Sequence, residues 1–150
     1  GTLIDTRWLL AGDVYGQLHN APTGKSFVNA PPYNLVFLDS CVVGANSDMA
    51  RSFDIAAGLT DKAYIGWPVS MDDSQHNVNW TNKLFDYLNQ GYALSQAVGL
   101  ANRDVGKALG PYDPIKMTNE VNLNIIGDSA YRLHGLYDGQ TMGRTVLWFR

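Results

Sequence analysis

The chemistry available to this chain centres on a single thiol. Cys41 is the only cysteine among 150 residues, and it directly follows Asp39-Ser40. A cysteine is a nucleophile as its thiolate, so a free thiol with a pKa of about 8.5 needs an imidazole, a helix N-terminus or another cationic neighbour to activate it. Three histidines are present, at His19, His76 and His134. His19 can serve as the general base if the fold brings it to the thiol, although a histidine flanked by Leu18 and Asn20 also reads as an exposed loop residue. His76 closes the polar run Asp72-Asp73-Ser74-Gln75-His76, and His134 has no companion signal. Two carboxylates, Asp13 and Asp39, are candidate partners for a basic substrate side chain, and Trp67 is a candidate pocket wall. The same aspartates read equally well as turn caps, and the tryptophan as strand-end packing.

Other chemistries fail on spacing. Cys41 and Arg51 stand too far apart for a compact phosphate-cradling loop. There is no Gly-x-Gly-x-x-Gly for a dinucleotide and no Gly-x-Ser-x-Gly elbow. One cysteine and three dispersed histidines give no metal-ligand spacing, so neither a metal nor any other cofactor is expected. Asn79-Trp80-Thr81 matches a glycosylation sequon, a tripeptide frequent by chance. A formal charge of −3 offers no electrostatic footprint for nucleic acid or an anionic membrane. No apolar run approaches the roughly 18 residues of a membrane span. A lone cysteine makes no internal disulfide, which leaves the compartment open. The N-terminus lacks a signal-peptide pattern, and Gly1 suggests a processed or trimmed start.

The elements that must position the thiol follow from apolar patterning. Leu35-Val36-Phe37-Leu38 is short and apolar on both faces, as a strand inside a parallel sheet must be. Pro31-Pro32 mark its start, and Cys41 falls just past its end. A second apolar run, Trp8-Leu9-Leu10-Ala11, predicts a buried strand closed by Gly12-Asp13, followed by a long loop over Val14 to Pro32. Ser47 is a plausible N-cap for a helix carrying Met49, Ala50, Phe53, Ala56 and Ala57, stopped at Gly58. Ala63 to Trp67 predicts a strand, and 71–78 a polar loop. Trp80, Leu84, Tyr87 and Leu88 share one helical face up to Gly91, and Leu94 to Val105 form a second helix stopped at Gly106. Gly110 to Pro114 reads as a turn cluster, Val121 to Ile126 as a strand closed by Gly127-Asp128, and Thr145 to Phe149 as an edge strand or a partner-dependent tail.

This alternation predicts one three-layer α/β domain over residues 1–150 with a mostly parallel central sheet. If the strands run parallel, Gly12-Asp13, Asp39-Ser40-Cys41 and Gly127-Asp128 share one rim, where sites in open sheets collect.

Leu35 to Cys41 resembles the strand that delivers the nucleophile in caspase-like cysteine peptidases, the superfamily of caspases, gingipains and related bacterial domains. Ala63-Tyr64-Ile65-Gly66-Trp67 resembles the strand that follows it. Leu84 to Gly91 with Ser95-Gln96-Ala97-Val98 and Ala101-Asn102 resembles the helix pair, and Asn124 to Asp128 with Tyr131-Arg132-Leu133 the closing strand. The similarity spans roughly Trp8 to Leu133. It implies peptide-bond hydrolysis with Cys41 as nucleophile, and a peptide or protein as substrate or partner. The family's base lies in a His-Gly pair, where this chain has Gly12-Asp13-Val14. Either Asp13 has replaced the base, leaving a silent binding or assembly module, or His19 reaches in from the loop. The family also carries two strands before this point. The chain is therefore expected to be trimmed from a longer parent or to be a minimal version, a homo-oligomer whose open sheet side is covered by another copy.

Overall fold

The computed structural model describes residues 33–133, 136–137, 140–141 and 146–149. The predicted strand at Trp8, the long loop, Asp13, His19 and His134 all lie outside the described residues. The described elements are β1 (Leu35–Leu38), α1 (Asp48–Ser52), β2 (Ala63–Gly66), α2 (Gln75–Asn89), α3 (Leu94–Val105), β3 (Ala108–Asp113), β4 (Thr118–Val121), β5 (Asn124–Gly127), β6 (Leu136–Tyr137), β7 (Gln140–Thr141) and β8 (Val146–Phe149). Four of them form a mostly parallel sheet in the order β5-β2-β1-β8. β1 pairs in parallel with β2, Leu35 opposite Ala63, and in parallel with β8, Leu35 opposite Val146. β5 runs antiparallel to β2, with Ala63 opposite Gly127.

The two-sided apolar run of β1 is explained by what lies on each face. Alternate residues of a strand point to opposite sides. Leu35, Phe37, Ala63 and Ile65 pack with Trp80, Leu84, Leu88, Leu94, Ala97 and Ala101 of α2 and α3. Val36 and Tyr64 pack on the other side with Met49, Ala50, Phe53 and Ile55. Helical segments thus cover both faces of the β1–β2 pair, and each fully buried Leu, Ile or Phe contributes roughly 1.5–3 kcal/mol. The aromatic series Phe37, Trp67, Trp80 runs through the first cluster with ring centroids 6.4 and 5.1 Å apart. Trp80 Nε1 donates to Asn102 Oδ1 at 2.7 Å, tying α2 to α3 without leaving the indole N–H unpaired.

Four boundaries differ from the sequence pattern. α1 ends at Ser52 instead of reaching Gly58, because Asp54 adopts φ +56° and turns the chain out of the helix. α2 begins at Gln75, inside the stretch that reads as a polar loop. The Gly110–Pro114 turn cluster is largely strand: Pro111 sits in β3, where the two-stranded ladder with β4 shifts register between Leu109 and Asp113. A bulged edge is where a sheet tolerates a proline. The single strand expected over Val121 to Ile126 is two strands in different sheets, β4 with β3 and β5 with β2.

Candidate functional site

Beyond β1 the chain does not continue along β2. It doubles back. The last strand pair is Leu38 opposite Gly66, and the next residues of β1's turn then meet the 67–71 segment in reverse order. Gly44 N–H donates to the Trp67 carbonyl at 2.8 Å, Val42 N–H to the Val69 carbonyl at 3.2 Å, and Met71 N–H to Cys41 Sγ at 3.3 Å. The fold-back needs a glycine, since a Cβ on Gly44 would lie 2.3 Å from the Gly66 carbonyl oxygen. Val42 takes φ +65°, a left-handed conformation that is costly for a β-branched residue. Two side chains brace the turn from below. Tyr64 Oη donates to the Val43 carbonyl at 2.7 Å, and Asn124 Nδ2 to the Gly44 carbonyl at 2.7 Å. Burial pushes the Tyr64 phenol well above its ordinary value, so it stays a donor.

The outcome is an exposed thiol on a hydrogen-bonded turn at the C-terminal end of an interior strand. Asp39 and Trp67 lie at the same end of the sheet but face inward. Trp67 is 1 % exposed, and its Nε1 donates to Asp39 Oδ1 at 2.7 Å. Thr81 Oγ1 donates to Asp39 Oδ2 at 3.2 Å, so this carboxylate links the end of β1 to the core and to α2. Of the sequence candidates within the described residues, Cys41, Asp39 and Trp67 are therefore brought together. Asp128 is not. Because β5 is antiparallel, the Gly127-Asp128 tip sits beside the start of β2, at the opposite rim, where Asp128 Oδ2 accepts from Asp61 N–H at 2.8 Å and Oδ1 from Ala130 N–H at 2.9 Å. The shared rim expected of parallel strand tips is corrected to that extent. His76 lies in the first turn of α2 with Nε2 2.8 Å from the Lys107 carbonyl; a carbonyl only accepts, so that nitrogen carries the proton.

Several participants were not read from the sequence. The Met71 N–H is a backbone group and has no residue signal at all. Asn77 lay within the supposed polar loop, yet it is 6 % exposed and hydrogen-bonded on both ends of its amide. Next to the turn, Pro68 and Val69 form one wall of a cleft of about 680 Å³, faced by Pro111 and Tyr112 of β3 and by Val121. Lys107 and Glu120 also line it and pair with each other at 3.7 Å. Val69 belongs to both places, since it lines the cleft and receives Val42 N–H.

Among the described residues no three of His, Cys, Asp or Glu are grouped to hold a metal ion, and no helix is long and apolar enough to cross a membrane. No protein-family model, curated protein or solved structure matches the chain.

Proposed function

We propose that the chain is a caspase-like, cysteine-peptidase-type hydrolase domain with Cys41 as nucleophile, built on a three-layer α/β sandwich. The observation that carries this reading is the exposed thiol on the braced turn just past β1, faced by a backbone N–H donor. Chemistry of this kind needs a nucleophile that substrate can reach and that cannot wander. In the proposed reaction the base takes the thiol proton as Sγ attacks the peptide carbonyl carbon, the C–S bond forms, and the carbonyl electron pair moves onto oxygen. Collapse breaks the C–N bond, the amine leaves with a proton from the base, and water then hydrolyses the thioester to the free acid and the thiol. His19 is the base this reading requires. The Val42 and Gly44 N–H groups are committed to the Val69 and Trp67 carbonyls, so in this reading the oxyanion is held by other backbone N–H groups near Cys41. In this reading Asp39 and Trp67, bonded to each other past the end of β1, support the substrate-binding surface, and Asp13 is a further contact for a basic substrate side chain.

The test is covalent trapping. The protein is incubated with a panel of peptidyl acyloxymethyl ketones differing in the residue beside the warhead, and the adduct is mapped by mass spectrometry. The expected result is one adduct per chain, on Cys41, formed with a preference among the peptides and accompanied by cleavage of the matching peptide substrate that Cys41→Ala abolishes. Labelling that ignores the peptide sequence, with no cleavage, overturns the peptidase reading and leaves a binding or assembly module on the same scaffold.

A further inference from the structure

Asn77 is a buried polar side chain in a position where helix packing alone would favour an apolar one. Its amide is fully employed. Nδ2 donates to the carbonyls of Asp72 and Leu109, the latter at 2.7 Å, and Oδ1 accepts from Leu109 N–H at 2.8 Å. With Leu109 it therefore exchanges both main-chain groups, as a neighbouring strand residue would. Asp72 N–H also donates to the Leu109 carbonyl at 2.9 Å. Three separate pieces of chain meet at this one amide: the first turn of α2, the start of β3, and the loop that carries Met71.

Met71 is the residue directly before Asp72, and its N–H is the donor on Cys41 Sγ. On the other side, Val69 is held by Val42. The loop from 69 to 72 is thus pinned at both ends, once to the turn that bears the thiol and once to Asn77. Without the Asn77 amide the far end of the loop would keep only the single Asp72 N–H bond to the Leu109 carbonyl, and the donor would be held less firmly.

We infer that Asn77 is a positioning residue of the Cys41 site, holding the Met71 N–H on the sulfur from the far side of the loop; the inference rests on the proposed nucleophilic role of Cys41. The chemistry selects asparagine in particular. Aspartate has the same shape but no N–H, so it would lose both donations and set a carboxylate against two carbonyl oxygens. An aliphatic residue would take one donor from the Leu109 carbonyl and the Asn77 acceptor from the Leu109 N–H.

The experiment follows the rate of Cys41 alkylation by iodoacetamide at pH 6 in the full chain, together with the amide resonance of Met71 in 15N-labelled protein. In the wild-type protein, alkylation is expected to run faster than in the same chain unfolded by urea, and the Met71 amide resonance to move when Cys41 is alkylated. Asn77→Asp is expected to slow alkylation by about tenfold or more, the scale on which small misplacements act, and to shift the Met71 resonance before any reagent is added. Asp128→Ala, at the opposite rim, is the control for a general loss of stability and is expected to leave the rate within twofold of wild type. An Asn77→Asp protein that folds cooperatively and alkylates at the wild-type rate overturns the inference while leaving the nucleophile reading intact. If Asn77→Asp does not fold, hydrogen exchange in the wild-type protein decides: a Met71 amide protected from exchange supports the inference, and one exchanging like an unstructured peptide overturns it. A wild-type thiol no faster than the unfolded one brings down the nucleophile reading, and this inference with it.

Discussion

The two rims of the sheet use the same device for different ends. At each, a glycine lets one backbone run against another where no Cβ would fit: Gly44 lies against the Gly66 carbonyl, and Gly127 against the Lys62 carbonyl, with hypothetical Cβ distances of 2.3 and 2.4 Å. Gly127 is followed directly by Asp128, and Gly44 lies three residues past Cys41. At the Gly127 rim, however, the polar group is consumed. Both oxygens of Asp128 accept backbone N–H groups, and its own N–H donates to the Lys62 carbonyl at 2.8 Å. At the Gly44 rim the scaffold is held by Tyr64, Asn124 and main-chain bonds, which leaves the Cys41 thiol exposed. What separates a structural clamp from a candidate site is whether a reactive group is left over once the backbone has been satisfied.

The largest expected effect tests the likeness of the two rims. Gly44→Ala and Gly127→Ala each drive a Cβ into a backbone atom that cannot rotate away, and each is expected to cost about 3 kcal/mol or more by urea denaturation. Gly127 also has φ +95°, which adds a further penalty. Gly58→Ala is the internal reference, with φ +82° but nothing within 4 Å of the new methyl, and is expected to cost only about 1 kcal/mol. If all three variants lose the same stability, the close-approach account is wrong.

The next effect separates the rims. Asp128→Ala removes the acceptor of Asp61 and Ala130 N–H and is expected to lower stability by about 1–3 kcal/mol in the same assay. The rate of Cys41 alkylation measured at a temperature where the variant remains folded should be unchanged, and a large loss of that rate would mean the two rims are coupled.

The smallest effect lies on the β3–β4 hairpin, which faces the cleft. Backbone N–H groups of Ile115 and Lys116 hold the Asp113 carboxyl below its ordinary range. A depressed carboxylate contributes stability that is complete above the unfolded value of about 3.9 and is lost as the pH falls through the lower folded value. The stability difference between wild type and Asp113→Ala, read from thermal transitions, should therefore be constant near neutrality and narrow in acid. A difference that widens as the pH falls would contradict the sign.

Much of this architecture was legible in the residues. Leu35 to Leu38 is apolar at every position because it is packed on both faces, and no amphipathic element leaves that pattern. The spacing of Trp80, Leu84 and Leu88 marks the face of α2 that meets the sheet, and Gly91 and Gly106 follow the helix ends with positive φ. The direction of β5 was not legible. Asn124-Ile125-Ile126-Gly127 has the composition of a strand in either orientation, and antiparallel pairing is fixed by partners distant in the chain. β3 was masked by Gly110 and Pro111, whose local preference for a turn is overridden at an edge with a register shift. At the candidate site the thiol could be found from one residue type and one position. Its surroundings are main-chain donors and carbonyls from 67 to 72, which any sequence possesses.

The central claim concerns a side chain made reactive by its place in the fold. The direct measurement is the second-order rate of Cys41 alkylation at pH 6, compared between the folded protein and the same protein in urea, with the site of modification confirmed by mass spectrometry. A free thiol at that pH is almost wholly protonated and slow. The account predicts a folded protein at least about tenfold faster than the unfolded chain. A folded rate equal to or below the unfolded one would contradict it.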